Sequence, residues 1–580
     1  SNITAGTFNV AGVETVNVTS EIVESTLAAL TASKLTTLSV AGDKDLTITA
    51  ALDFDGTASG TVITGTIDAS TFTGDLTAKV GADAENLSVT TGAGDDTVDF
   101  QGTLTKNDVV DLGTGSNTVV ISVADTGNGS AATQNFTDFQ LTNVSTMKVG
   151  ILDTSGGTTV DAKALDDATV VSVVAGTTDT DVTVNNVGAT QEVTVINNAA
   201  GTLELGDVAV NLEDDTSSSD SMTVNLYAAS DADQTLDLLT IDDGAEAASI
   251  NVNGLNTTAG SDLTLTSLIA DNAATITLGG AGNLVVTLDE TGTNKTATID
   301  ASAMTGEFKF TEAVTNDLTI TGSATAKNTF VMVATLDNDD TLAGGSSTTD
   351  SVSATAGSAL TATTGVLNLS AIETLALTAT DAQTAVVDLT NASDVTTVSV
   401  AASSTGGNAN LTLKGLAAGV TVETTDQATN DFEGTLTLAL ADATGSEDAI
   451  TLSLENDSTD DAFTLVTSGI ETLNIASVAA VNEHSIDVSG SDAAKIVLTG
   501  GEADKSLTLS ANKLNKAVTE VDASAFSGDV VTDASATDSV GVNFKMGDLT
   551  ITTTTGDTVV GSASTTSDDT LSGNFAASDA

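Results

Sequence analysis

Residues 91–120 combine glycine, aspartate and short apolar pairs in a spacing that suits metal binding. Gly92, Gly94, Asp96 and Val98 match the nonapeptide Gly-Gly-x-Gly-x-Asp-x-apolar-x, with Thr91 in place of the first glycine. The glycines let the backbone turn with its carbonyl groups inward, the aspartate adds a carboxylate, and the apolar residue starts a short strand. Calcium takes six to eight oxygen ligands at flexible distances, and such turns supply them. The spacing therefore predicts calcium-binding turns.

The same pattern continues along the chain. Asp96, Asp108 and Asn117 are each followed two positions later by valine. The interval from Asp108 to Asn117 has the length of the nonapeptide, and the interval from Asp96 to Asp108 is three positions longer. The alternative interpretation is a pair of Gly-Asp hairpin turns that hold no metal.

Composition excludes several classes of protein. The 580 residues include 80 acidic and 15 basic side chains, which gives a formal net charge of −65. So negative a chain repels nucleic acid and anionic lipid, and we expect neither nucleic-acid binding nor membrane insertion. Hydrophobic residues make up 40% of the chain and its mean hydropathy is +0.17, which argues against disorder. There is no cysteine, so a disulfide framework and a thiolate metal site are both excluded.

Alternation of apolar and polar residues predicts strand after strand. Short stretches with this period occur at residues 46–49, 222–226 and 506–510, and glycine, asparagine, aspartate or serine bound most of them. Residues 21–33 and 511–518 are the two places where the spacing predicts a helix instead. The sequence thus indicates an all-β protein.

Long repeats organise the chain. The motif Ile-Asp-Ala-Ser around Asp68 recurs around Asp300 and, with valine first, around Asp522, so that similar lengths of chain separate the copies. Phe72, Met304 and Phe526 occupy the same place after each motif and are predicted to fill the core, together with the alternating valine, leucine and isoleucine. We infer repeat units at residues 1–232 and 233–457 and a partial unit at residues 458–580.

Calcium-type turns recur in each copy. Asn328 follows Asp300 at the same interval at which Asp96 follows Asp68, and Asp340 follows Asn328 at the interval that separates Asp96 from Asp108. The third copy ends with two more aspartates that are separated by this last interval. The complete set of predicted calcium ligands is Asp95, Asp96, Asp108, Asn117, Asn328, Asp339, Asp340, Asp350, Asp557, Asp568 and Asp569.

Large repeats of short strands predict stacking of each unit on its neighbours. Glycine turns of the nonapeptide type require stacked parallel turns, so we predict an elongated β-solenoid with parallel β-roll-like repeats and calcium-binding turns. A string of β-sandwich domains is the alternative.

The repeats resemble bacterial surface-layer proteins of the calcium-dependent, RTX-related type. The resemblance rests on Gly-Val-Glu-Thr-Val-Asn-Val at residues 12–18, Gly-Ile-Glu-Thr-Leu-Asn-Ile at residues 469–475, the Asp-Ala-Ser turns and the glycine turn at residues 92–98. It implies an extracellular protein, secreted by a type I channel without an N-terminal signal peptide. It also implies folding on calcium and assembly with copies of itself into a two-dimensional lattice on the cell surface.

Two further points of the resemblance concern partners and alternatives. The family's anchor to cell-surface polysaccharide, usually a separate region, has no evident match here. Type I-secreted adhesins carry similar Gly-Asp turns, so a calcium-rigidified adhesin or adhesin stalk is the alternative function.

We expect no enzymatic activity. His484 is the only histidine and is predicted to lie in an exposed turn, so neither a zinc site nor a histidine-based catalytic group has its partners. Neither a Gly-x-Ser-x-Gly elbow nor a Walker loop is present. Paired acids of the kind a glycosidase uses arise here from composition, and aromatic residues are only 3% of the chain.

Overall fold

The structure is a computed structural model of residues 1–580. It describes residues 2–55, 61–81, 86–123, 132–135, 139–151, 158–163, 165, 167–175, 181–197, 203–214, 216, 219–228, 233–242, 244–253, 262–290, 296–313, 317–332, 335–356, 365–380, 384–402, 408–425, 432–454, 462–477, 484–501, 506–509, 514, 517–527, 529–533, 543–545, 548–553, 558–560 and 570–573.

Alternating β-branched and polar residues form short strands, and the residues described above contain no helix. None of them, accordingly, lies in a helix that could span a membrane. The chain divides into two compact units, Ser1–Glu307 and Phe308–Ala580.

The first unit contains β1 (Ile3–Asn9), β2 (Thr15–Ser20), β3 (Ser25–Thr31), β4 (Thr37–Gly42), β5 (Leu46–Ile48), β6 (Gly65–Asp68), β7 (Leu76–Lys79), β8 (Leu87–Thr90), β9 (Thr97–Gln101), β10 (Val109–Asp111), β11 (Thr118–Val123), β12 (Ala132–Asn135), β13 (Gln140–Thr142), β14 (Thr146–Ile151), β15 (Thr158–Asp161), β16 (Val170–Ala175), β17 (Val182–Val187), β18 (Glu192–Asn197), β19 (Leu203–Leu212), β20 (Ser221–Ala228), β21 (Gln234–Ile241), β22 (Ala247–Asn253), β23 (Asp262–Ile269), β24 (Thr275–Gly280), β25 (Asn283–Leu288) and β26 (Thr298–Met304).

The second unit contains β27 (Phe308–Glu312), β28 (Thr319–Thr321), β29 (Asn328–Val331), β30 (Thr341–Ala343), β31 (Ser351–Ala356), β32 (Val366–Ser370), β33 (Thr374–Ala379), β34 (Thr384–Asn391), β35 (Thr397–Ala402), β36 (Asn408–Leu416), β37 (Thr421–Thr424), β38 (Glu433–Leu440), β39 (Ala449–Leu454), β40 (Ala462–Ser468), β41 (Thr472–Ser477), β42 (His484–Gly490), β43 (Lys495–Gly500), β44 (Ser506–Leu509), β45 (Glu520–Phe526), β46 (Asp529–Asp533), β47 (Asn543–Lys545), β48 (Asp548–Thr553), β49 (Thr558–Val560) and β50 (Thr570–Gly573).

Strands pair in parallel with strands one turn away rather than with their neighbours in the chain. In the first unit β3 pairs with β1 and β5, while β4 pairs with β2 and β6, so successive strands alternate between two faces. The second unit repeats the arrangement, with β31 paired to β29 and β33 and β32 paired to β30 and β34. This arrangement is a parallel β-solenoid, which confirms the predicted fold class. The β-sandwich alternative is wrong, because sandwiches are built from antiparallel sheets.

In-register pairing stacks equivalent side chains into columns that form the core. One column of the first unit is aliphatic throughout and fully buried, and its members are Val98, Val119, Met147, Val171, Val193, Val224, Ile250 and Leu278. A column of the second unit begins with the rings of Phe310 and Phe330. It continues with Val352, Leu375, Val398, Val422, Leu452, Ile475 and Leu498. Burial of each such side chain contributes about 1.5–3 kcal/mol.

The helix predicted at residues 21–33 is wrong. Residues 25–31 form β3, whose backbone bonds to β1 on one side and to β5 on the other. Leu27 and Leu30, which suggested a helical face, instead belong to a strand whose position is fixed by partners on both sides. Tertiary pairing here outweighs local spacing. Most of the second predicted helix lies outside the described residues, and its described part is not helical. His484 begins β42 instead of lying in a turn.

The three Asp-Ala-Ser motifs share one local hydrogen bond. Asp68, Asp300 and Asp522 each accept the backbone N–H of the serine two residues later, at 3.2, 2.9 and 3.2 Å. The alanine between them is buried, and so are Phe72, Met304 and Phe526, as predicted. The aspartate of this motif therefore stabilises a local bend, which follows the end of β6 and is a register shift within β26 and β45. The repeat boundaries at residues 232 and 457 stay predictions, because the division at residue 307 concerns packing and not sequence repetition.

A glycine-to-alanine pair tests the close stacking of turns. Gly115 has a φ of +136°, and a Cβ on it would lie 1.9 Å from the carbonyl oxygen of Gly94 in the preceding turn. We expect Gly115→Ala to lower the free energy of unfolding by at least about 1–3 kcal/mol, because the strain and the clash add. Gly6→Ala is the control, since a Cβ there meets nothing within 4 Å. Equal denaturation midpoints for the two variants would contradict the stacking.

Candidate metal-binding turns

The glycine turns at residues 92–95 and 113–116 stack directly on one another. Ala93 N donates to the carbonyl of Phe72 one turn earlier at 2.9 Å, and Thr114 N donates to the carbonyl of Gly92 at 2.8 Å. A Cβ on Gly92 would lie 2.0 Å from the Phe72 carbonyl oxygen. Because the backbones touch, only glycine fits at the contact points. The glycine spacing recognised in the sequence therefore reflects close approach between successive turns.

A column of aspartates runs along the outside of these turns. Asp75 N donates to Asp45 Oδ1 at 3.0 Å, Asp95 N donates to Asp75 Oδ1 at 2.7 Å, and Ser116 N donates to Asp95 Oδ1 at 2.8 Å. Asp75 and Asp95 are exposed, and Asp45 is half-buried. Each carboxylate thus accepts an N–H of the next turn with Oδ1, and its other oxygen, Oδ2, is not used in this column. Asp95 was predicted as a ligand, whereas Asp45 and Asp75 were not.

A second ladder, one residue further along, is buried and runs in the opposite direction. Leu76 N donates to Asp96 Oδ1 at 2.8 Å, and Asp96 N donates to Asn117 Oδ1 at 2.9 Å. Asn117 Nδ2 donates to the Leu112 carbonyl at 2.7 Å. Asp96 and Asn117 are at most 1% exposed. These side chains satisfy backbone N–H groups at strand starts, which would otherwise be buried without partners.

Asp96 uses only one of its two carboxylate oxygens, Oδ1, in this ladder. Asp96 Oδ2 and the nearby Thr91 Oγ1 are buried, and neither has a partner of good hydrogen-bond geometry. Burial raises the pKa of the Asp96 carboxyl, against the lowering influence of the Thr91 hydroxyl and the Leu76 N–H, and the charges of Asp75 and Asp95 raise it further. Two buried oxygens without an aligned partner suit a hard cation, but the carboxylate oxygens of Asp75, Asp95 and Asp96 do not all lie within 4.8 Å of one another.

Asp108 is fully engaged. Its Oδ1 accepts Leu87 N at 2.6 Å, and its Oδ2 accepts Thr105 N at 2.6 Å and the Thr105 hydroxyl at 3.1 Å. Burial raises the pKa of this carboxyl, and the Leu87 and Thr105 N–H groups oppose the rise. The geometry gives Asp108 a structural part in holding the start of β8.

The second unit repeats these buried ladders. Asp350 accepts Asn328 N at 2.7 Å with Oδ1 and Gly345 N at 2.9 Å with Oδ2. Asn328 in turn accepts Ser323 N at 2.7 Å. Asp350 N donates to Glu373 Oε2 at 2.9 Å. Asn328 and Asp350 are fully buried, and their oxygens bind backbone N–H groups.

A glutamate corner recurs with the same geometry in both units. Glu246, Glu373 and Glu471 each accept the N–H of an aspartate one turn earlier, at 2.8, 2.9 and 3.0 Å. The N–H of each glutamate returns to the carbonyl of that same aspartate, at 3.0 to 3.1 Å. Glu471 belongs to the repeat phrase at residues 469–475, and Ile-Glu-Thr-Leu at residues 372–375 repeats its residues 470–473, but the sequence did not predict that any of the three glutamates holds a backbone N–H.

Three carboxylates gather above Asp340. Ligand oxygens of Asp317, Asp337 and Asp339 all lie within 4.8 Å of one another. Beneath them Asp340 Oδ1 accepts Leu318 N and its Oδ2 accepts Asp337 N, both at 2.9 Å. Asp339 was predicted as a ligand, whereas Asp317 and Asp337 were not. The signal that could have found Asp317 is its position in the sequence, which precedes Asp339 by the length of one turn of the coil.

The predicted ligands thus fall into separate groups. Asp108, Asn117, Asn328, Asp340 and Asp350 hold backbone N–H groups, Asp96 keeps one free oxygen, and Asp95 and Asp339 lie at the surface. Asp557, Asp568 and Asp569 lie outside the described residues. Metal binding by any of them stays a prediction.

No family model matches the chain, and no curated protein matches its sequence. The resemblance to surface-layer proteins therefore rests on the motifs themselves.

Asp340 gives a prediction about pH. Burial raises the pKa of Asp340 from 3.8 to about 6, against the N–H groups of Leu318 and Asp337 and with the charges of Asp337 and Asp317 adding to the rise. The folded state holds this proton more tightly than the unfolded chain does. The protonated carboxyl therefore adds to the free energy of unfolding below pH 4, and this contribution is lost as the pH rises through about 6. The loss is on the order of 3 kcal/mol.

We expect Asp340→Asn, with calcium removed by chelator, to flatten the stability profile between pH 4 and 6. Denaturant unfolding at a series of pH values measures this. Asp442→Asn is the control, because the Thr444 hydroxyl lowers the pKa of exposed Asp442, so Asp442 titrates below this window. An unchanged slope in Asp340→Asn would show that other groups dominate the profile.

Proposed function

We propose that this chain is a calcium-stabilised structural protein of a bacterial surface layer, which assembles with copies of itself into a two-dimensional lattice outside the cell. The observation that carries the proposal is the pair of orphaned oxygens, Asp96 Oδ2 and Thr91 Oγ1, in the glycine turn whose sequence matches the nonapeptide. Both atoms are buried, and the Thr91 hydroxyl is near enough to lower the pKa of the Asp96 carboxyl without making a well-aligned hydrogen bond. A buried polar group without a full partner costs up to about 1–3 kcal/mol, and a bound cation removes that cost.

The donor set fits calcium better than other common metals. Every candidate ligand here is an oxygen, the ligand atom that calcium and magnesium prefer. Structural zinc sites are built from cysteine and histidine, and this chain has no cysteine and one histidine. Asp75 and Asp95 lie at the surface of the same stacked turns, and a side chain of either one must move to add a carboxylate oxygen to an ion at Asp96. Calcium accepts such irregular sets at variable distances, whereas magnesium demands near-octahedral geometry.

Charge supports the structural function. A formal charge of −65 opposes close packing of identical subunits, and divalent ions that bridge carboxylates on adjacent copies convert this repulsion into attraction. The exposed column of Asp75 and Asp95 and the cluster of Asp317, Asp337 and Asp339 are surfaces where such bridging can occur. We propose a non-catalytic function, and the resemblance of the repeats to surface-layer proteins supports export through a type I channel.

The calcium site is tested by a matched pair of substitutions. Asp96→Asn removes the free carboxylate oxygen, and Asp108→Asn changes an equally buried acid whose oxygens already accept N–H groups. We expect calorimetric titration to lose one calcium site in Asp96→Asn and none in Asp108→Asn. In the parent chain, calcium at ten times its Kd should add about 1.4 kcal/mol to the free energy of unfolding for each site.

Both variants can be less stable than the parent, so the comparison rests on stoichiometry at a temperature where both are folded. Magnesium at the same concentrations controls for screening of the negative charge. Equal calcium stoichiometry in parent and Asp96→Asn would overturn the site.

Assembly is tested separately by light scattering and electron microscopy. Weak extracellular calcium modules have Kd values of about 10⁻⁴–10⁻³ M, and we expect calcium in this range to drive formation of ordered sheets. Sodium at equal ionic strength should not, because it screens charge without bridging carboxylates. Monomers only, across the calcium range and at high protein concentration, would move the adhesin-stalk alternative to first place.

A further inference from the structure

A groove of about 670 Å³ lies on the outward surface of the first unit, across β9 to β20. Its lining consists of side chains that alternate with the core residues of the same strands, so none of it belongs to the buried ladders described above. Parallel strands stand about 4.8 Å apart, and the groove therefore runs across several equally spaced rows.

Register places hydrogen-bonding side chains side by side in one row. Lys148 lies beside Ser172, Ser172 beside Thr194, and Thr194 beside Asn225, each on an adjacent strand. The row thus offers an ammonium group and two hydroxyls along the groove, and it ends at the Asn225 amide, which already donates to Glu192 and accepts Asn251 Nδ2 at 2.9 Å.

Ser172 in the centre of the row lacks a partner. Its side chain is on the outward face, yet the residue is only 4% exposed, and its Oγ makes no hydrogen bond. Thr194 beside it is 8% exposed. Buried hydroxyls are normally hydrogen-bonded, so an unsatisfied one that lines a groove points to a ligand that supplies the missing partner.

Tyr227 lies at the side of the same groove, opposite Ile196. It is 42% exposed and is the only aromatic residue among the lining side chains. An exposed aromatic ring offers a flat apolar surface with a polar hydroxyl at its tip, and the C–H face of a pyranose ring packs on such a surface.

The chemistry of the groove narrows the class of ligand. The chain's negative charge disfavours polyanions, and Glu192, which accepts Asn225 Nδ2 at 2.9 Å, adds a carboxylate to the lining. The strands β14, β16 and β18 are paired on both sides, so a peptide strand cannot be added to this sheet here. A ligand rich in hydroxyls and without charge meets both conditions.

We propose that this groove binds an uncharged oligosaccharide, which stacks one ring on Tyr227 and hydrogen-bonds along the row from Lys148 to Thr194, with Ser172 Oγ at its centre. The proposal is independent of calcium binding and of lattice assembly.

The chain reports on this groove by its own fluorescence. Tyr227 is the only tyrosine and there is no tryptophan, so tyrosine emission arises at the proposed site alone. The full-length protein is titrated with maltohexaose, cellohexaose and hexa-N-acetylchitohexaose, with hexaethylene glycol as a non-sugar control and heparin hexasaccharide as a charged one. We expect a saturable change in tyrosine emission with at least one neutral hexasaccharide and none with either control.

Substitutions then locate the site by calorimetry. Ser172→Ala should weaken binding about 3- to 10-fold, the effect of one hydrogen bond. Tyr227→Ala should weaken it by at least as much, whereas Tyr227→Phe should retain most of the affinity. Thr183→Ala is the matched control, because Thr183 is an outward, half-buried residue of β17, a strand of a different sheet.

Two results would overturn the proposal. The first is the absence of saturable binding of all three neutral probes at millimolar concentration, or binding of the heparin probe alone. The second is unchanged affinity in both Ser172→Ala and Tyr227→Ala, which would place the binding elsewhere. Circular dichroism of each variant confirms that the fold is intact before the comparison is made.

Discussion

Every corner of this coil must supply acceptors for the backbone N–H groups of the strands that begin there. In-register parallel stacking satisfies the backbone within strands, but at the turns the ladder is interrupted. The chain solves this with short acidic and amide side chains, such as Asp96, Asp108, Asn328 and Asp350, whose oxygens reach N–H groups one turn away or a few residues along the same turn. The aliphatic columns and the glycine turns depend on this arrangement, because it fixes the register in which they stack.

The same constraint explains much of the unusual composition. Aspartate at a bend caps the residue two positions later, as in the Asp-Ala-Ser motifs, or holds the next turn, as Asp75 and Asp95 do. Acidic residues therefore accumulate as turns are added, and basic residues are not required for the fold. The resulting negative charge is the physical reason to expect counter-cations at the surface. The need for acceptors also separates two kinds of aspartate that look identical in the sequence. In one kind both oxygens hold backbone N–H groups, and in the other an oxygen is available to a metal.

The sequence was sufficient to predict the fold class, because period-2 alternation and glycine spacing are direct consequences of stacked parallel strands. The spacing also pointed to the correct corners, since Asp96, Asp108, Asp340 and Asp350 all lie at strand starts. It could not assign their oxygens, because many of the N–H groups that occupy them come from residues a full turn away, and turn lengths vary. The helix at residues 21–33 failed for the same reason, as the partners of β3 are distant in the chain. Asp317 and Asp337 were missed because only the folded turns bring them to Asp339.

The central claim is that one oxygen of Asp96 is free for a cation while both oxygens of Asp108 and Asp350 are held by the backbone. Anomalous diffraction from crystals grown with terbium, a calcium substitute, measures this directly by locating each ion. The account predicts an anomalous peak within coordination distance of Asp96 Oδ2 and Thr91 Oγ1, and none at Asp108 or Asp350. Peaks at Asp108 or Asp350, with their N–H contacts broken, or the absence of a peak at Asp96, would contradict it.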